Sequence, residues 1–129
     1  MPDTLRQFKA TMFQALAHST RIAILELLRE GEVPVSVILE RLGIEPANAS
    51  QHFAVLRSKH IIVSRKEGTQ VFYSVRDPLV IEILDIMRRY YQAHLEEALS
   101  LLQPGKPGTE SGGTYGSTQR EVLGGMGVK

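Results

Sequence analysis

The sequence predicts a mainly helical fold carrying one small β-hairpin. Three observations predict it. Apolar residues recur at helical spacing through most of residues 4–102. The period drops to two in only two short runs, IIVSR (61–65) and QVFYSV (70–75), joined by KEGT. Within the first 102 residues glycine occurs only as Gly31, Gly43 and Gly68, each where an element should end, because glycine tolerates the positive φ that such ends require.

Each element has its own justification. Residues 4–17 place Leu5, Phe8, Met12, Phe13 and Leu16 at helical spacing and predict a first amphipathic helix. HST (18–20) is a capping signal, with His18 read as a helix-start group. RIAILELLRE then runs to Gly31 with Ile22, Ile24, Leu25, Leu27 and Leu28 inward. Val33 is a candidate short strand. Residues 35–42 read as a third helix closed by Gly43. Glu45-Pro46 opens a fourth, since proline is preorganised for a first turn. Its expected apolar face is Ala49, Phe53, Val55, Leu56 and His60, with His60 at its end. After the hairpin, Asp77-Pro78 is a cap followed by proline and starts a long helix to Leu102, roughly 37 Å at 1.5 Å per residue. Its apolar set is wider than one stripe, so a domain this small cannot cover all of it. Two short helices around a tight glycine turn, followed by a basic hairpin, make a winged helix-turn-helix.

The domain is expected to span residues 1–102. From Gln103 onward the chain holds eight of its eleven glycines and few large apolar groups, so 103–129 reads as a flexible tail without the apolar surface to offset ordering. The chain has no cysteine, which excludes disulfides and thiolate chemistry and suits a reducing compartment. It shows neither a signal-peptide pattern nor an apolar run long enough for a membrane span, and a cytoplasmic location without membrane contact is the expectation. No nucleophile triad, phosphate loop or carboxylate pair is present, so an enzyme is the weakest reading, and no cofactor is expected.

The net charge of +1 is uninformative, but its distribution is not. Residues 48–76 hold Arg57, Lys59, Arg65, Lys66 and Arg76 against Glu67 alone. On the fourth helix Ala47, Asn48, Ser50 and Gln51 are short or hydrogen-bonding groups near the helix start, as a helix entering the major groove requires. His52 is a further candidate for a base or phosphate contact, and Arg57 and Lys59 are candidates for phosphates. On the hairpin, Arg65, Lys66, Thr69 and Gln70 are placed to follow the DNA backbone, with Glu67 weakening the field. One of Phe72 and Tyr73 should pack inward and the other flank the hairpin. A winged helix can also serve as a protein-interaction module, but the cluster of five bases favours double-stranded DNA.

Residues 15–75 resemble the ArsR-type family of bacterial winged-helix repressors. The matches are Ala15-Leu16-Ala17, Thr20-Arg21, Ile24-Leu25, Leu27-Leu28, Gly31-Glu32, Leu42-Gly43, Ser50, His52, Val55-Leu56, Gly68 and Tyr73-Ser74. The resemblance implies a homodimer formed through the first and last helices, with Leu5, Phe8, Met12, Ile83, Met87, Tyr90, Tyr91, Leu95 and Leu99 as its apolar interface. It also implies an inverted-repeat operator, contacts from Asn48, Ser50, Gln51, His52 and the hairpin, and release by an inducer, which in many members is a metal ion.

Two departures concern that inducer. The family's E-x-C-V-C metal run reads Glu32-Val33-Pro34-Val35-Ser36, so both cysteine positions are gone. A second family site pairs D-x-H with H-x-x-E on the last helix. His94 and Glu97 are present, but the partner positions are Ile81 and Ile83, which cannot ligate zinc. His94 and Glu97 are therefore weak metal candidates, and no metal is assigned. His94 reads first as a packed dimer-helix histidine. An organic inducer remains open, with the cleft between two last helices, near Tyr90 or Met87, as its place.

Overall fold

The computed structural model describes residues 2–102; the tail expected at 103–129 lies outside them. Among the described residues five helices and three strands follow in order: α1 (Pro2–Leu16), α2 (Ser19–Leu27), β1 (Val33–Pro34), α3 (Val35–Leu42), α4 (Pro46–Ser58), β2 (Ile62–Glu67), β3 (Gln70–Val75) and α5 (Leu79–Leu102). The described residues divide into two compact units, one running up to Glu82 and one beginning at Ile83.

The first unit holds α1 to β3 and the start of α5. His18 caps α2, its Nδ1 accepting the Thr20 N–H at 3.1 Å. Gly43 ends α3 in the left-handed conformation (φ 62°, ψ 41°), its N–H donating to the Leu39 carbonyl at 2.8 Å. A β-carbon would be strained at that φ. Pro46 opens α4 directly afterwards, so α3 and α4 form a helix-turn-helix with a turn of only three residues. At the far end of α4, His60 adopts φ 59°, and the Ile61 N–H returns to the Leu56 carbonyl at 2.9 Å.

The strands form one antiparallel sheet in the order β1–β3–β2. Val33 pairs with Tyr73, and the hairpin runs in register from Ile62↔Val75 to Glu67↔Gln70. The short strand expected at Val33 is thus a two-residue edge, Val33–Pro34, of a three-stranded sheet. Gly68 makes the hairpin turn at φ 64°. The core includes Ile24, Leu25, Leu28, Ile38, Ala49, Phe53, Leu56, Ile61, Ile62 and Tyr73, with Ala15, Leu16 and Ile81 also buried. Full burial of each large aliphatic stabilises by about 1.5–3 kcal/mol before entropy is counted.

The second unit is the body of α5. Asp77 caps the helix, its Oδ1 accepting the Leu79 N–H at 3.0 Å. Beyond Glu82 most of the helix's large apolar groups are exposed: Ile83, Ile86, Met87, Tyr90, Tyr91, Leu95, Leu99, Leu101 and Leu102. His94 is the exception at 3% exposure.

Candidate nucleic-acid interface

Helix α4 is fixed by one face. Ala49, His52, Phe53 and Leu56 are buried at positions i, i+3, i+4 and i+7, the stripe a helix turns toward a core. Val55 is only half-buried and His60 is exposed, so neither lies on the core stripe as expected. The opposite ridge carries Ala47, Gln51, Ala54 and Ser58, with Ser50 beside it; all five are exposed. Asn48 is exposed on the flank. Ala54 and Ser58 belong to this ridge and were not among the sequence candidates, although their spacing from Ala47 and Gln51 marks it.

His52 departs from its expected role. It is 8% exposed and faces inward, 31 residues from the group that holds it. Arg21 Nη1 lies 3.2 Å from His52 Nδ1, while Arg21 Nε donates to the Ala15 carbonyl at 2.6 Å. The guanidinium can only donate, so Nδ1 is the acceptor and the imidazole is neutral. The His18 ring lies 4.3 Å away, centroid to centroid. Loss of solvent, then the electrostatic influence of the neighbouring His18 and Arg21, pushes the His52 pKa below the usual imidazole value. Arg21, which sequence reasoning left unassigned, therefore fastens the end of α1 and the middle of α4 to α2. His52 is a packing group and not a contact in the groove.

The hairpin packs on α4 through Tyr73. Its ring stacks on Phe53 (centroids 4.5 Å, planes 28° apart), and its hydroxyl accepts from Arg57 Nη1 at 2.7 Å. Arg57, expected to meet phosphate, thus ties α4 to β3. Phe72 is the member of the pair that flanks the hairpin. Lys59, Lys66, Thr69 and Gln70 are exposed. Between the helix and the hairpin lies a cleft of about 400 Å³ whose rim includes Ser50, Thr69 and Gln70. Ser50 on α4 and Thr69 and Gln70 of the hairpin therefore line one open cleft.

Arg65 has partners that the sequence reading did not anticipate. Its Nε and Nη2 donate to the two carboxylate oxygens of Glu32, each at 2.8 Å, and Nη1 donates to Glu67 at 3.0 Å. The guanidinium also lies over the Phe72 ring, 4.6 Å from its centroid. Hydrogen bonding from Arg65 lowers the Glu32 pKa, and the two carboxylates raise that of Arg65.

In the second unit, neither ring nitrogen of buried His94 has a hydrogen-bond partner, and the ring meets Tyr90 edge-on at 4.2 Å. Glu97 is half-buried. Among the described residues no three His, Asp or Glu side chains come together.

A family model described as a helix-turn-helix domain matches residues 16–65. Rv0081 of Mycobacterium tuberculosis (strain ATCC 25618 / H37Rv), an uncharacterized HTH-type transcriptional regulator, is 34% identical over 102 residues, which cover 78% of this chain and 90% of that protein. The solution structure of Mb0332 (fragment 1–100) from Mycobacterium bovis, a homodimeric winged helix-turn-helix DNA-binding domain described as a possible ArsR-family regulator, is also similar. It has a TM-score of 0.68 and 29% identity, covering 74% of this chain and 89% of that one. The chain belongs to the ArsR-type winged helix-turn-helix transcriptional regulators. Within that family, NmtR of M. tuberculosis is 36% identical over 95 residues (74% of this chain, 78% of that protein). The crystal structure of Rv0081 has a TM-score of 0.68 at 35% identity and covers 74% of this chain and 97% of that one. Among the described residues no helix is long and apolar enough to cross a membrane.

Proposed function

We propose that this ArsR-type regulator is a homodimeric, cytoplasmic repressor that binds an inverted-repeat operator through α4 and the hairpin. The observation that carries the reading is the exposed ridge that begins with Ala47 and Gln51, with Ser50 beside it, on a helix whose other face is locked into the core. Short side chains let the helix backbone approach base edges. Gln51 and Asn48 can each pair with the N6 and N7 of adenine, and Ser50 can donate or accept. Lys59 and Lys66 neutralise phosphates, while Thr69 and Gln70 follow the backbone from the other side of the groove.

A second copy gives the exposed apolar groups a partner. Leu5 and Phe8 on α1, and Ile83, Met87, Tyr90, Tyr91, Leu95 and Leu99 on α5, are all exposed, whereas Met12 is half-buried. Burying such groups at about 25 cal/mol per Å² favours association. Two-fold symmetry then sets two α4 helices about one DNA turn apart, which matches an inverted repeat. A dimer seated on such a site blocks transcription by occupying the promoter. The inducer does not use the family's cysteine site, because Pro34 and Ser36 stand at the ligand positions.

The test is a fluorescence-anisotropy titration of the full chain on a duplex from upstream of its own operon, between 50 and 200 mM salt, with sedimentation to count chains per duplex. The expected result is two chains per duplex and an affinity that falls steeply with salt, as counterion release requires. A chain that stays monomeric at micromolar concentration, or that ignores the duplex at low salt, contradicts the proposal.

A further inference from the structure

The wing carries less free charge than its sequence advertises. Read locally, residues 65–67 give two cations and one acid. The sheet order β1–β3–β2 adds a second acid, because it brings Glu32, immediately before β1, to the side chain of Arg65 on β2. Counting Glu32, the cluster of Arg65, Lys66, Glu67 and Glu32 is neutral. All three guanidinium nitrogens of Arg65 are engaged: two on Glu32 as a fork, the third on Glu67. Its flat face is covered on one side by Phe72, its cross-strand neighbour.

An isolated surface ion pair is weak and easily exchanged. Here one guanidinium holds three charge-assisted hydrogen bonds and a ring contact in a single geometry, and fork pairing of this kind is the strong form of the interaction. Two of its five N–H groups stay unspent, but swinging Arg65 out to a DNA phosphate would break the three bonds to the acids. It would also leave two bare carboxylates beside a polyanion.

We infer that Glu32 and Glu67 withhold Arg65 from DNA, so that Arg65 is a positioning residue that fastens the wing to the turn before β1, and Glu32 limits DNA affinity by one phosphate contact. The inference rests on the DNA-binding reading proposed above. Its physical sense is release: each phosphate contact withheld makes the complex less tenacious and less sensitive to salt. A regulator that must let go gains by holding one cation in reserve.

The test measures the slope of log affinity against log salt, on a duplex of unrelated sequence, for four full-length proteins. These are the unaltered chain, Arg65→Gln, Glu32→Gln with Glu67→Gln, and all three changes together. With the acids in place, Arg65→Gln should change the slope by well under one contact. With the acids neutralised, Arg65 is freed. That double variant should bind more tightly and have a slope steeper by about 0.9, an additional loss of roughly 3.5-fold between 50 and 200 mM salt, and Arg65→Gln should then abolish that gain. Two results overturn the inference: Arg65→Gln flattens the slope by a full contact in both backgrounds, or it does nothing in either. Failure of all four proteins to bind any duplex at low salt is a distinct outcome that removes the DNA-binding reading itself, and the inference with it.

Discussion

Helix α4 and the hairpin stand side by side and both expose polar groups, yet they are held in opposite ways. Helix α4 is fixed from below, by Ala49, His52, Phe53 and Leu56 buried in the core. Beyond Ile62, the β2 strand of the hairpin is exposed along its whole length, and its tip is braced from the side by an ion-pair cluster around Arg65. One region is positioned by apolar packing, which is insensitive to salt. The outer part of the other is braced by charges, which salt screens. A rigid helix suits reading bases, where a shift of one ångström breaks a hydrogen bond. A wing whose tip is braced by ion pairs suits the less exacting task of following a backbone.

The largest way to break this contrast is to remove the anchor of α4. Leu56→Ala opens a cavity at a site with no exposed surface and should cost about 2–5 kcal/mol in a denaturant titration. A cost below 1 kcal/mol would mean that the helix is not held by its core face. A smaller change probes the link between the two regions. Tyr73→Phe keeps the stack on Phe53 but removes the acceptor for Arg57, and should cost about 1 kcal/mol. If stability is unchanged, the Arg57–Tyr73 bond is replaced by water at no loss and does not join helix to wing.

The smallest expected effect lies in pH. His52 is held neutral, with its pKa below the usual value, because burial, and after it the neighbouring His18 and Arg21, disfavour the imidazolium. The unfolded chain therefore takes up a proton near pH 6.5 that the folded chain refuses. Stability from this group is present in full above that pH and declines as pH falls through it toward the lower folded value. The unaltered chain should lose more stability between pH 7.5 and 5.5 than His52→Gln does. Equal losses would place the pH sensitivity on another group.

How much of this was legible in the sequence follows from the range of each interaction. The elements were legible because their signals are local: Pro46 and Gly43 around one turn, the change of period at Ile61, Asp77-Pro78 before the last helix. The core positions Ala49, Phe53 and Leu56 were legible from spacing. His52 shares that spacing, but its polar chemistry suggested the groove; its partner Arg21 lies 31 residues away and only the packing of α2 on α4 brings them together. The partners of Arg65 were hidden for the same reason. Its charge is visible locally, whereas its neutralisation by Glu32 depends on β1 pairing with β3. Val55 and His60 fell off the core stripe because apolar character and position near the helix end outweighed their angle around it.

The central claim is that bases are read by the outward ridge of α4. Its most direct test compares the full chain with Ser50→Ala/Gln51→Ala on two duplexes, the region upstream of its operon and a shuffled sequence of equal composition, at one fixed salt concentration. The account predicts that the variant stays folded and dimeric, binds the shuffled duplex as before, and loses about 1–3 kcal/mol of operator affinity per missing base contact. An undiminished preference for the upstream duplex would contradict it.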